Sequence, residues 1–402
     1  MLDAASPQSF RRDARVIGLV GVAHSVSHFF QLALPPLFPL LKAEFGVSWT
    51  LLGVLVGVFY AASGIAQFAA GFLVDKMGAR PVLFGGLALL AGGTLVASFA
   101  PGLWWLYPIV ALMGLGNGVF HPADFAILNA NVDPRRLGHA YSTHGIGGNL
   151  GYALAPIVSF GLAALLGWRG SLAVMASVGL VVLGLLAMQR GYLDSHRADA
   201  SRPQTLRSSV GLFKEAAILW CFLYFIVQTS ATVGLQTFAV SALNATFAVP
   251  LAIANSAVTT YLLGASAGIL LGGFLAVRTD RHDRVAATGL AVAALLVALI
   301  AIGPPLVLLL PLFAAIGFVT GATGPSRDLI VRSATPKGAS GRVYGFVYSG
   351  LDVGATLGPL WFGVMLDHGM GRQMFLAIAL LLGIAILTVL QTRRGLVARA
   401  AT

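Results

Sequence analysis

Apolar residues run through this chain in long blocks separated by short charged intervals. Twelve blocks reach the roughly 20 mostly apolar residues that a membrane span needs. They lie at 16–41, 48–74, 81–99, 103–128, 138–164, 170–189, 215–241, 250–276, 286–303, 305–329, 343–366 and 371–391. No period-2 alternation runs through them, and hydrocarbon offers no partner to a backbone amide, so the pattern predicts helices. The expected fold is an all-α membrane protein of twelve transmembrane helices.

Composition agrees with the pattern. The chain is 57% hydrophobic and only 10% charged, with a mean hydropathy of +0.87. A soluble domain of this size would lack the charge to cover itself. The positions of the basic residues set an orientation. With the N-terminus inside, 22 of the 25 lysines and arginines fall on cytoplasmic segments, leaving Lys42, Arg169 and Arg372 outside. Both termini are therefore expected in the cytoplasm. The net charge of +11 follows from topology and anionic inner-leaflet lipid, and calls for no nucleic-acid partner.

Arg11 and Arg12 precede an apolar run, but that run is long and shows no small-residue cleavage pattern, so it reads as an uncleaved first helix. The lone Cys221 excludes a disulfide framework and a thiol metal motif. The polar stretch 190–214 reads as a cytoplasmic linker between an N-terminal six-helix bundle, 1–189, and a C-terminal one, 215–402.

Those two bundles share a plan. Residues 122–156 recur 203 positions later without a gap: Pro122 meets Pro325, Ile127 Ile330, Gly138 Gly341, Tyr141 Tyr344, Gly151 Gly354 and Pro156 Pro359. Glycine and proline make up much of the match, so what repeats is chain geometry more than polar chemistry. Six spans per half is an even number, so the repeats are expected to be parallel, related by an axis along the membrane normal.

The loop after the second stretch reads Gly71-Phe-Leu-Val-Asp75-Lys76-Met-Gly78-Ala-Arg80-Pro81. It resembles the signature loop of the major facilitator superfamily. A degraded copy, Gly273-Phe-Leu-Ala-Val-Arg278-Thr-Asp280-Arg281, stands at the equivalent place in the second half. A narrower resemblance lies in Gly114-Leu-Gly116-Asn-Gly118-Val-Phe-His121-Pro122, in Gly147-Gly148-Asn149-Leu-Gly151 and in Ser25-Val-Ser-His28. These are similar to the fosmidomycin-resistance branch of drug efflux proteins. The chain departs from that branch where Gln31 and Leu32 replace an Asn-Asp pair, and where Ala123 replaces a glutamate with Asp124 one place on. The resemblance implies alternating access, with the first, fourth, seventh and tenth helices lining a cavity. It also places Asp75, Lys76 and Arg80 in a charge latch at the cytoplasmic side.

Charges within a bilayer are costly, so the few present are candidates for function. Asp124 and Asp328 fall near the inner ends of the fourth and tenth stretches, where pairing with loop arginines is expected, and Arg327 joins them at this gate. Asp352 lies about ten residues into the eleventh stretch, near mid-depth, and its repeat partner is Asn149. His24 and His28 share a helix face, while His121 and His144 fall in the fourth and fifth stretches. Histidine titrates near neutral pH and suits proton transfer. His24 with His28 could also hold a metal, but neither a cysteine nor a paired carboxylate joins them, so the expected reading has none. Gln31, Asn117, Gln228, Thr229, Tyr261 and Thr323 are polar at middle depth, and some of them are expected to bond helix to helix. Gly264, Gly268 and Gly272 form a close-packing face.

The sequence thus points to a secondary active transporter, most consistent with export of a small organic solute in exchange for protons. Its expected partners are that solute, protons and lipid, with no cofactor and a monomeric state. Two other readings stand beside it. One is proton-coupled uptake of a small carboxylate with Arg327 as anion contact. The other, a multi-span membrane enzyme, lacks a catalytic constellation at any one depth, and no nucleotide-binding loop appears.

Overall fold

The computed structural model describes residues 7–194, 214–336 and 340–401. The central part of the expected linker, 195–213, lies outside the described residues, as do residues 337–339, Lys337 among them. Among the described residues the regular structure is entirely helical. The helices are α1 (Pro7–Gln31), α2 (Phe38–Phe45), α3 (Trp49–Met77), α4 (Ala79–Ala97), α5 (Leu103–Gly118), α6 (Phe120–Asn131) and α7 (Leu137–Met188). They continue as α8 (Ala216–Phe247), α9 (Leu251–Val277), α10 (His282–Ala301), α11 (Leu306–Ala334), α12 (Ser340–Asp367) and α13 (Gly371–Ala401).

Among the described residues, ten segments are long and apolar enough to cross a membrane, against the twelve expected. Two physical causes account for the difference. The segment 134–188 counts as one, yet its backbone leaves the helical region at Gly167, with φ 69° and ψ 171°. Glycine takes that conformation without a Cβ penalty. The Ser171 hydroxyl then donates to the Ser159 carbonyl at 2.8 Å. Twelve residues of straight helix would separate those groups by about 18 Å, so the chain doubles back here. The other cause is α12, which carries Ser349, Asp352 and Thr356 along its length and is not among the ten.

Proline breaks two of the expected stretches. Pro35 and Pro36 cannot supply the amides that would continue α1, and the chain passes through a 3-10 turn, Pro35–Leu37, before α2. Pro122 cannot donate to the Gly118 carbonyl, and α5 ends at Gly118 with α6 restarting at Phe120. That restart sets the direction in which His121 and Asp124 project.

The chain divides into two compact units. The first comprises Met1–Leu37 with Ala61–Pro203, and the second Phe38–Tyr60 with Gln204–Thr402. In the first, α7 lies directly on α1. A Cβ on Gly151 would fall 2.0 Å from the Ser25 carbonyl oxygen, and one on Gly147 would fall 2.9 Å from that of Gly21. Arg136 fastens the start of α1: its Nε donates to Asp13 Oδ2 at 2.7 Å, and a terminal nitrogen ion-pairs with the same oxygen at 2.7 Å while donating to Ser9 Oγ at 2.8 Å.

In the second unit the glycine face of α9 meets α11. A Cβ on Gly264, Gly268 or Gly272 would fall 2.3, 2.0 or 2.4 Å from the carbonyl oxygens of Ala314, Phe318 and Ala322. Residues 49–60 of α3 lie against α12 in the same way, with Gly53 over the Pro359 carbonyl. The Asp367 carboxylate closes that contact by accepting from the backbone amides of Trp49 at 2.7 Å and Thr50 at 2.8 Å.

Candidate functional site

Three helices of the first unit bring four imidazoles and a carboxylate together. His24 and His28 lie one turn apart on α1, His121 and Asp124 three residues apart on α6, and His144 on α7. Asp124 is fully buried; its Oδ2 lies 3.0 Å from His144 Nε2 and 3.1 Å from His24 Nδ1. The rings of His24 and His144 stack at 3.5 Å, and His24 lies 4.3 Å from His28 and 5.1 Å from His121, centre to centre. His28 and His121, expected to face each other, stand edge to face at 6.3 Å.

Glycine makes the room for this cluster. A Cβ on Gly148 would approach His28 Cε1 and Nδ1 at 2.9 Å and His24 Nε2 at 3.0 Å. The Gly147-Gly148-Asn149-Leu-Gly151 run therefore has two duties on one face: its first and last glycines seat α7 on α1, and its middle glycine leaves space for two imidazoles. The Asn149 side chain donates to the Gly145 carbonyl of its own helix at 3.0 Å.

A second polar network adjoins the histidines. Gln31 Nε2 donates to Asn117 Oδ1 at 2.8 Å, and Asn117 Nδ2 donates to Ser63 Oγ at 2.9 Å. The Tyr152 hydroxyl donates to Gln31 Oε1, and its ring lies 4.3 Å from that of His28. His121 Nδ1 stands 3.5 Å from Gln67 Oε1. Helices α1, α3, α5, α6 and α7 thus share one connected polar region. Sequence reasoning named Gln31 and Asn117 but missed Ser63, Gln67 and Tyr152. For Tyr152 a signal was present, because it follows His144 and Gly148 at successive intervals of four and so shares their face.

The gate assignments change in part. Asp124, expected to pair with loop arginines, instead meets two histidines, because the restart of the helix at Phe120 turns it inward with His121. Arg80 pairs with Asp194 rather than with Asp75. Asp75 and Lys76 are exposed at the end of α3, and among the described residues no ion-pair partner faces Asp75. Nearby, Asp133 caps a 3-10 turn by accepting from the Arg135 amide, and that hydrogen bond holds its exposed carboxyl below the usual range.

In the second unit Asp328 accepts from Arg327 Nε at 2.9 Å and from the Tyr348 hydroxyl at 2.9 Å. The Arg327 guanidinium also lies over the Phe225 ring at 4.9 Å. A small cavity beside it is lined by Cys221, Tyr224, Phe225, Arg327, Val331 and Thr392. Tyr261 is buried on α9, near Thr232 and Thr320 around another small cavity. Gln228 is half-buried on α8. Thr229 and Thr323 are buried, and Thr323 donates to the Thr320 carbonyl of its own helix. Asp352 is half-buried on α12, where its carbonyl accepts from the Thr356 hydroxyl.

A helical chain with ten membrane-length apolar segments among its described residues is a multi-pass membrane protein. It belongs to the Major Facilitator Superfamily, whose sequence profile matches residues 20–243 and 221–399. The chain is 27% identical over 381 residues to the uncharacterized MFS-type transporter YfnC of Bacillus subtilis (strain 168), a match covering 93% of this chain and 92% of that one. It is 24% identical to the fosmidomycin resistance protein of Escherichia coli (strain K12), covering 91% and 89%. Its fold matches the crystal structure of a bacterial homolog to the human lysosomal transporter Spinster, with a TM-score of 0.81 at 14% identity, over 95% of this chain and 97% of that one. The family is one of transporters, so the chain is a membrane carrier of a small molecule and not an enzyme.

Proposed function

We propose that this protein is a secondary active transporter that exports a small organic solute in exchange for protons by alternating access. The observation that carries the reading is the cluster in the first unit in which His24, His144 and Asp124 are buried, with the half-buried His28 and the exposed His121 against them. Buried ionisable groups are expensive within a membrane and are kept where solute or protons pass. The likeness to a fosmidomycin resistance protein over most of both chains supports export as the direction.

In this reading the chain forms twelve spans in two parallel six-helix bundles, 1–189 and 215–402, joined by a cytoplasmic linker at 190–214. It lies in the bacterial inner membrane as a monomer with both termini cytoplasmic. The pathway is lined by the histidines with Gln31, Asn117, Asn149, Gln228, Tyr261 and Asp352. Asp75, Lys76, Arg80, Arg327 and Asp328 act at the cytoplasmic gate. Asp124 moves from the gate to the pathway.

Purified protein in liposomes under an imposed pH gradient tests the proposal against a panel of antibiotics and small organic acids. The expected result is movement of an unaltered solute against the direction of proton flow. Solute movement indifferent to the gradient removes proton coupling, and chemical alteration of the solute removes the transport reading. Movement of a small carboxylate together with protons would favour uptake, for which Arg327, stacked on Phe225, is the anion contact.

A further inference from the structure

The five ionisable side chains between α1, α6 and α7 match a donor set of a different kind from a proton pathway. His24, Asp124 and His144 present one imidazole or carboxylate atom each, all within 4.8 Å of one another, and all three residues are buried. His24, His28 and His121 form a second such triad that shares His24. Donors around a tetrahedral ion at about 2.0–2.1 Å stand roughly 3.3 Å apart. The two separations to Asp124 Oδ2, 3.0 and 3.1 Å, already fit that spacing.

A second, independent observation points to a ligand. Asp124 Oδ1, His24 Nδ1 and His28 Nδ1 are buried without a hydrogen-bond partner. His24 Nδ1 is close to the Asp124 carboxylate, but the contact is misdirected for a hydrogen bond. Unpaired buried polar atoms cost roughly 1–3 kcal/mol each, and here three are gathered in one place. A cation between His24, Asp124 and His144 would engage His24 Nδ1 and one oxygen of the Asp124 carboxylate. Gly148, whose Cβ would strike the His24 and His28 rings, keeps the imidazoles free to turn toward it.

We propose that the first unit binds one divalent transition-metal ion, Zn2+ foremost, through His24, Asp124 and His144, with His28 or His121 completing the coordination. Imidazoles in the majority select zinc, cobalt, nickel or copper, whereas magnesium and calcium take oxygen ligands. Two imidazoles and one carboxylate are a known zinc set, and a third imidazole can take the fourth tetrahedral position. The bound ion ties α1, α6 and α7 together, about two helical turns along α1 from Gln31. This inference adds to the transport reading without depending on it, since it concerns binding in the absence of any solute or gradient.

The test uses the full chain, purified in detergent without a polyhistidine tag and stripped with EDTA. Co2+ is titrated by its visible absorption, then displaced with Zn2+, and bound metal is counted by elemental analysis. The expected result is one ion per chain, with a rise in the thermal unfolding midpoint on adding Zn2+. His24→Ala and His144→Ala should each weaken binding more than about 100-fold, beyond what loss of a supporting residue causes. His368→Ala, at a histidine in the turn just after α12, should bind as the parent does. Failure of the parent protein to bind one ion overturns the proposal whether or not the variants fold, and so does parent-like binding by a folded His24→Ala or His144→Ala. A chain that transports solute in EDTA yet binds no metal overturns this inference alone.

Discussion

His24 and His144 lie face to face with ring centres 3.5 Å apart and planes 22° from parallel, on two helices that meet through glycine. The contact requires α1 and α7 to approach more closely than side chains allow. Alanine substitutions along α7 should therefore separate two effects. Gly151→Ala sets a methyl 2.0 Å from the Ser25 carbonyl, and overpacking of this kind costs about 1–3 kcal/mol. Gly148→Ala should displace the imidazoles instead, lowering transport more than stability. Gly145→Ala meets nothing within 4 Å and should be neutral or slightly stabilising. Thermal unfolding in detergent beside liposome transport reads both effects, and the same ranking in both assays would refute the division.

Asn117 joins Gln31 to Ser63 and so links α1, α5 and α3. Hydrogen bonds between membrane helices are worth on the order of 1 kcal/mol, because the separated helices find other partners. Asn117→Ala should then fold with a modestly lowered unfolding midpoint, while solute affinity falls several-fold. Affinity equal to that of the parent protein would leave Asn117 a purely structural bond.

Most of the helical plan was legible because a membrane span must be apolar for about 20 residues, and few other structures require that. The turn at Gly167 and the proline breaks before α2 and α6 follow from chain chemistry that is visible in the sequence. The placing of residues 38–60 with the second unit was not legible. It depends on Gly53 meeting Pro359 and on Asp367 capping α3, contacts more than 300 positions apart. The histidines stood out in the sequence, but the carboxylate that joins them did not. Asp124 shares a helix face with His121, yet only the packing of α6 against α1 and α7 decides whether that face meets loop arginines or imidazoles.

Arg80 pairs with Asp194, and both are partly exposed at 31% and 52% of their side-chain surface. Exposed pairs contribute about 0–1 kcal/mol, so Arg80→Glu and Asp194→Arg should each leave the unfolding midpoint nearly unchanged. If the pair helps hold the gate, each single change should slow transport and the double exchange should restore part of the rate. Asp75→Asn tests the signature loop separately. Slowed transport with greater labelling of cysteines introduced along the cytoplasmic half of the pathway is the expected outcome, and parent-like behaviour in both would free Asp75 of a gating role.

Asp352 carries the sharpest prediction. It is half-buried midway along α12, and its repeat partner is Asn149, whose amide is held by its own helix. A carboxylate cut off from water is favoured in its neutral form, and one reached by water ionises. A residue that alternates between these conditions can pass one proton per cycle. Asp352→Asn keeps the shape of the neutral acid and removes the exchangeable proton. It should therefore abolish proton-driven accumulation in liposomes while leaving exchange of solute down its own gradient intact. Asp352→Glu, which restores the proton at a slightly different reach, should recover part of the driven transport. Full proton-driven transport by the Asn variant would remove Asp352 from coupling. Loss of folding in the Asn variant together with a stable Glu variant would instead make the ionised carboxylate a structural tie of α12.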